Sequence, residues 1–491
     1  MSASETSSDR AGRVPAVHRG RLWVGMMVVF AIATTAGLLG IGVRATHGGH
    51  AAVDEPQYLL TALSLAEDGD LDIADELAQE RWRAFFDEEL PQQTQVLEDG
   101  RQVSPHDPLL PVLIALPMGL GGFLAAKATL ALLAGVTAAL TLWIAVRRLG
   151  VSLPLATVGT GIGFASPPLA VYAQQVYPEL PAALAVCVAF AILTGRRTRV
   201  GVAGFVAAVS ALPWLGVKYV PVAGALVVIC LLRLWFARRG KVLVGTLASF
   251  AALGAVYLLL HRLIWGGWTV YASGDHFVTT GEFSVVGVSP DYVGRSVRLV
   301  GLMVDQAFGI AAWQPAWLLA VPALAALLAA RPVGWSGLAL PLLIGWLVAT
   351  FVALTMNGFW WPGRQVVVVL PLALLVVLWW LQRASRGLHV AAVILGVLGV
   401  FALGCLLVDG WSGEITWVVH FEGVDDPTYH LRRLLLPDYR AGWSQFWPGH
   451  LAWSAVLCLL AVFGWRSMTR RLQTVHEDLT DRESRLDNDR R

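Results

Sequence analysis

The sequence predicts an all-α membrane protein of about twelve transmembrane helices, with an extracytoplasmic first loop carrying short amphipathic helices. Three observations predict it. Of the 491 residues, 56% are hydrophobic and 14% charged, whereas soluble domains carry roughly 25% charged residues. The apolar residues fall in runs whose length matches the hydrocarbon core of a bilayer. The charged residues sit in discrete loops between those runs rather than along one face of each. Lys and Arg total 36 against 34 Asp and Glu, so no electrostatic footprint favours nucleic acid as a partner.

In chain order, a polar and basic segment, residues 1–21, precedes an apolar run at 22–43. That run exceeds a signal-peptide core and lacks a small-residue cleavage site, so it reads as a retained first helix. Further spans are expected at 122–146, 153–171, 178–195, 200–216, 219–237, 242–262, 312–330, 335–355, 365–382, 388–408 and 450–466. Alternate connections carry the basic residues: Arg13, Arg19 and Arg21, then Arg147 and Arg148, Arg196 to Arg199, Arg238 to Lys241, Arg331, Arg383 and Arg386, and Arg466 to Arg471. The positive-inside rule places these loops, and both termini, in the cytoplasm of a cell membrane. Three long polar loops, 44–107, 263–300 and 409–448, then face outward. The first is acidic, with 14 Asp and Glu against 4 Arg between Arg44 and Pro105. The stretch from Leu109 to Leu120, interrupted by Pro111 and Pro117, is too short to span and is expected at the outer interface or as a re-entrant segment held against protein. The chain thus divides into a cytoplasmic segment 1–21, a transmembrane module 22–385, C-terminal helices 386–466 and a tail 467–491. Within that tail, Thr474 to Arg491 is expected to be unstructured. Cys187, Cys230, Cys405 and Cys458 all lie in apolar runs and read as packing residues, not as a disulfide framework.

The first outer loop opens on Asp54-Glu55-Pro56-Gln57-Tyr58. Asp before Pro is a helix-start signal, and Leu59, Ala62, Leu63 and Ala66 fall on one stripe before Gly69 ends it. The expectation is a short amphipathic helix lying flat in the outer interface. An Asp at a helix N-terminus stays ionised readily, which is the state a general base needs. A plain capping role is the competing reading of Asp54.

That string resembles the signature of the GT-C superfamily of membrane glycosyltransferases, which includes protein O-mannosyltransferases and aminoarabinose transferases. Further stretches match in order: Ser104-Pro105-His106-Asp107-Pro108-Leu109-Leu110-Pro111, Tyr172 to Pro181 with its Tyr177-Pro178-Glu179, Trp214-Leu215-Gly216-Val217-Lys218-Tyr219, Asp305-Gln306-Ala307-Phe308-Gly309, and Gly358-Phe359-Trp360-Trp361-Pro362-Gly363-Arg364. The resemblance covers roughly residues 20 to 385, and the chain after about residue 388 carries no such match. It implies a catalytic Asp in the first outer loop, a polyprenyl-phosphate sugar as donor and inversion at the anomeric carbon. Asp54 matches the catalytic acidic position. Gln57 stands where the family often has His, which leaves position 57 without an assigned role. Because a departing phosphate needs no proton, one carboxylate suffices here, unlike the pair a glycosidase uses. Glu55 would orient the acceptor, hold a metal or assist Asp54.

Lys218 and Arg364, at outer helix ends, are candidates for the donor phosphate. Their structural alternatives are a lysine snorkelling to headgroups and an anchor in an aromatic belt. Tyr58, His106, Asp107 and Glu179 are expected to line the cavity. His106 and Asp107 could complete a divalent-metal site with Asp54 or Glu55, since imidazole and carboxylate suit such ions. Asp275, His276, Glu282, Asp425, Asp426 and His430 read as solvated loop residues, and most of the 21 tryptophans, Trp360 and Trp361 among them, as an interfacial belt. The function expected is transfer of a lipid-linked sugar to a cell-envelope glycan, lipid or protein hydroxyl. The alternative is a polytopic transporter or flippase of lipid-linked or small polar solutes, which would place ionisable groups near the bilayer midplane.

Overall fold

The computed structural model describes residues 18–91, 93–94, 96–195, 198–274 and 290–488; Asp275, His276 and Glu282 lie outside them. Among the described residues there are helices and isolated bridges but no strand, and the chain is an all-α multi-pass membrane protein. The helices are α1 (Arg19–Gly40), α2 (Glu55–Glu67), α3 (Ala74–Ala78), α4 (Leu109–Leu149), α5 (Leu153–Phe164), α6 (Leu169–Tyr172), α7 (Glu179–Leu193), α8 (Arg199–Leu215), α9 (Val220–Phe236), α10 (Gly240–Trp265), α11 (Tyr292–Arg295), α12 (Arg298–Val304), α13 (Ile310–Trp313), α14 (Ala320–Ala330), α15 (Trp335–Leu347), α16 (Leu370–Leu381), α17 (Arg386–Ser412), α18 (Pro427–Arg433) and α19 (Trp443–Asn488). Tight 3-10 turns at Val217–Tyr219 and Arg364–Val369 lead into α9 and α16.

Among the described residues, eight helical segments are long and apolar enough to cross a membrane. Four shorter apolar helices, Leu153–Phe164, Glu179–Leu193, Arg199–Leu215 and Pro315–Ala330, occupy the other expected spans. At the centre lies α16, every residue of which from Leu370 to Leu381 is buried. A helix apolar all round has no polar face to offer and packs on every side. Close approach between helices depends on small residues. A Cβ on Gly135 of α4 would lie 2.3 Å from Thr34 Oγ1 of α1, and one on Gly37 of α1 would lie 2.9 Å from the Cβ atoms of Ala131 and Ala173.

Several expectations are corrected. Leu109 to Leu120 is a helical segment of its own at the start of α4: the backbone leaves helical geometry at Gly121 and Gly122, the latter with φ of 63°, where the span expected at 122–146 begins, but it packs against α2 and not at an open interface. The span expected at 153–171 stops at Phe164, because the Pro167-Pro168 pair interrupts it before α6. The tail is not unstructured through its length, since α19 runs to Asn488, over a stretch without Gly or Pro. α2 does not lie flat with one face exposed. Its residues from Glu55 to Ser64 are all buried, and a Cβ on Gly119 of α4 would meet Ala66 Cβ at 2.9 Å. Its two hydroxyls are satisfied by nearby carbonyls: Thr61 Oγ1 donates to Gln57 O, and Ser64 Oγ to the carbonyls of Asp70 and Asp72.

The third long loop is packed rather than loosely solvated. The amides of Trp417 and Val418 donate to the carbonyls of Arg44 and Ala45, at 3.0 and 3.1 Å. Asp426 is fully buried, accepting from the Thr428 amide and hydroxyl and pairing with Arg432. Trp361 is not in an interfacial belt but fully buried, in a cluster with Trp313, Trp417 and Phe421.

Candidate functional site

Four ionisable side chains from four elements meet at one end of the bundle. Asp54 precedes α2, Glu179 opens α7, Lys218 lies in the turn before α9, and Arg364 opens the turn before α16. Arg364 is the hub: its Nη2 donates to Asp54 Oδ2 at 2.7 Å and its Nε to Glu179 Oε1 at 2.9 Å. Lys218 Nζ donates to the same Glu179 oxygen at 2.6 Å. The guanidinium also lies 3.9 Å from the centre of the Tyr177 ring, a cation–π contact that favours Arg over Lys. Two carboxylates and two cations make the group neutral, which is how charge survives burial. Glu179 is 1% exposed on its side chain, Arg364 8%, Asp54 18% and Lys218 28%, so the cluster opens to solvent along Asp54 and Lys218.

The capping reading of Asp54 does not hold, because its side chain makes no capping hydrogen bond to α2. The carboxylate turns instead to Arg364 and, at 3.9 Å, to His106 Nε2. Burial alone would push the Asp54 carboxyl up, but Arg364 above all, with His106 and Lys218, holds it below the ordinary carboxylate value. Burial pulls His106 down despite the carboxylate beside it, leaving the imidazole neutral at neutral pH. The backbone arriving at Asp54 is itself unusual. Val53 has φ of 55°, a left-handed conformation that a β-branched residue adopts only under constraint. The constraint is visible: Lys127 Nζ donates to His50 O at 2.5 Å, Tyr177 Oη to Ala52 O at 3.2 Å, and Gln93 Nε2 to Val53 O at 2.7 Å.

Glu55 belongs to that scaffold and not to the open face. It is fully buried, with Oε2 accepting from the Ala52 amide at 2.9 Å and Oε1 from the Val176 amide at 2.7 Å. Burial, the largest influence, raises its carboxyl. Tyr58 stacks on His106 with ring centres 4.8 Å apart, beside Asp54. Asp107 turns away from that group, accepting from Tyr257 Oη at 3.3 Å with His261 Nε2 also at 3.3 Å, so it ties α10 to the first outer loop. Among the described residues, Asp54, Glu55, His106 and Asp107 do not form a three-ligand cluster.

No family model matches the chain, and no curated protein does. A solved structure does. The chain is similar to the crystal structure of ArnT from Cupriavidus metallidurans bound to undecaprenyl phosphate, with 15% sequence identity and a TM-score of 0.48 over 90% of this chain and 76% of that one.

Sequence reasoning singled out Asp54, Glu179, Lys218 and Arg364 but not their joining through Arg364. Asp54 and Arg364 are 310 positions apart, and no local spacing encodes such a contact. It read Lys127 as an ionisable residue near the outer end of the span at 122–146, but not its contact with His50 O, made from a fully buried position in α4. The signal was present, since a lysine within an apolar run must find a partner. A groove of about 1240 Å³ lies apart from this cluster, between α8 and α10, lined by Thr198, Trp214, Lys241 and Leu253.

Proposed function

We propose that the protein is a glycosyltransferase that moves a sugar from a polyprenyl-phosphate carrier to an acceptor hydroxyl at the extracytoplasmic face of the membrane. The observation that supports it is the Asp54 carboxylate, ionised and turned away from its own helix into a neutral cluster with two cations. The loop charges support the outward orientation. Arg364 and Lys218 are the donor-phosphate ligands in this reading. Both now hold carboxylates, so an arriving phosphate competes for them, and as Arg364 turns toward it Asp54 Oδ2 is released. Asp54 then takes the proton of the acceptor hydroxyl as its oxygen bonds to the anomeric carbon from the face opposite the phosphate. The bond from that carbon to the phosphate oxygen breaks, and the phosphate leaves with the electron pair and without a proton, giving inversion. Neutral His106 stands next to Asp54 to accept the proton afterwards.

The test is turnover by the purified protein in nanodiscs, supplied with a panel of labelled polyprenyl-phosphate sugars and acceptors from the cell envelope: glycans, lipids and proteins. Replacing Asp54 with Asn keeps an acceptor for Arg364 but removes the base, and a general base contributes about 10²–10⁴ in rate. Asp54→Asn is therefore expected to lower kcat by about 10³ with the fold intact. Near-normal turnover by that variant refutes the assignment.

A further inference from the structure

We propose that the carboxylates of Asp68, Asp75 and Glu76 bind a calcium ion at the C-terminal end of α2. Each offers an oxygen, and the three atoms lie within 4.8 Å of one another. Asp68 and Asp75 are exposed, but Glu76 is 1% exposed, and among the described residues neither of its oxygens has a hydrogen-bond partner. A dry carboxylate facing two other acids does not stay ionised without help: it holds either a proton or a cation. A cation among them supplies that help.

The neighbouring acids are already engaged, which singles these three out. Asp70 Oδ1 accepts from the Asp72 amide, Asp72 Oδ1 from the amides of Ala74 and Gln102, and Glu67 pairs with Arg81. Asp68 is also the C-cap residue of α2, where the helix dipole is negative and disfavours an anion but welcomes a cation. The donors are all oxygen, so the chemistry suits calcium or magnesium rather than zinc or copper. Size decides between them. Calcium takes oxygens at about 2.3–2.6 Å, so ligands on opposite sides stand up to about 5 Å apart, while magnesium at about 2.0–2.1 Å spans little more than 4 Å. Three oxygens within 4.8 Å of one another can be reached by the larger ion without being drawn in as far, with water completing the coordination. The ion would fasten the C-terminal end of the helix that Asp54 precedes to α3; α2 spans about 20 Å, which sets the site apart from the Arg364 cluster and makes it independent of the reading above.

The experiment is calorimetric titration of calcium into the full chain, stripped with chelator and held in nanodiscs of zwitterionic lipid so that the bilayer contributes no anionic sites. One ion is expected to bind with Kd of about 10⁻⁴–10⁻³ M, the range of extracellular calcium modules, and magnesium more weakly. Glu76→Gln should weaken binding at least tenfold, and so should Asp68→Asn, whose exposed position leaves folding unaffected. Asp99→Asn, an acid of the same loop paired with Arg101, should bind as the native chain does. No saturable binding by the native chain, or equal affinity in Glu76→Gln and Asp68→Asn, overturns the proposal.

Discussion

Replacing Arg364 with Ala removes two hydrogen bonds to carboxylates, at 2.7 and 2.9 Å, and the stack on Tyr177. The two acids are not left alike. Glu179 keeps the direct contact with Lys218 at 2.6 Å, whereas Asp54 keeps His106 at 3.9 Å and the more distant charge of Lys218. Removing one partner of a buried ion pair costs about 3–5 kcal/mol, and the 18% exposure of the Asp54 side chain argues for the lower end, about 3 kcal/mol. In a chain this long each kcal/mol moves the melting temperature by roughly 2 °C or less, so Arg364→Ala should melt up to about 6 °C lower. The informative variant is the double, Arg364→Ala with Asp54→Asn. Neutralising the stranded carboxylate should return part of the loss, with a coupling of about 1–3 kcal/mol. Intrinsic fluorescence melting in nanodiscs reads all four proteins without any substrate. Strict additivity, or a single Arg364→Ala variant that melts with the native chain, refutes the hub role of Arg364.

Three further outcomes follow from the same geometry. Arg364 holds the Asp54 carboxyl below the ordinary carboxylate value despite its burial, so its ionised form stabilises the fold fully above that ordinary value and the contribution is lost only as pH falls through the depressed one. The melting difference between the native chain and Asp54→Asn should therefore stay constant from neutral pH to about pH 4 and shrink below it; convergence already at about pH 6 would contradict the pairing. Glu55→Gln replaces one of two acceptor oxygens with an amide that faces a backbone N–H, which should cost about 1–3 kcal/mol in thermal stability and lower kcat by misplacing Asp54. Gly135→Ala sets a methyl 2.3 Å from Thr34 Oγ1, and the forced separation of α1 and α4 should cost about 1–3 kcal/mol by the same melting assay.

The spans were legible because lipid requires continuous apolar helix, and each expected span overlaps an apolar helix. The break at Gly121 and Gly122 was legible too, between the short stretch to Leu120 and the span from 122; what the hydropathy pattern could not show was the interruption at Pro167-Pro168, inside a run that stays apolar. The role of α2 was misjudged because its stripe of Leu59, Ala62, Leu63 and Ala66 describes one apolar face, while burial of the other face depends on Thr61 and Ser64 bonding to nearby carbonyls. In the site, residue types and helix-end positions pointed to Asp54, Glu179, Lys218 and Arg364, since ions near the hydrocarbon need partners. Which of them pair, and that Glu55 serves backbone amides instead of the open face, depends on contacts between distant segments that no periodicity records.

The amides of Trp417 and Val418 bond to the carbonyls of Arg44 and Ala45, a few residues ahead of Asp54. The last fifth of the chain, after about residue 388, which has no motif of its own, therefore helps build the wall behind the acid. Shortening the protein after the stretch that carries every motif would remove backbone partners from the very loop those motifs mark, so the two portions stand or fall together.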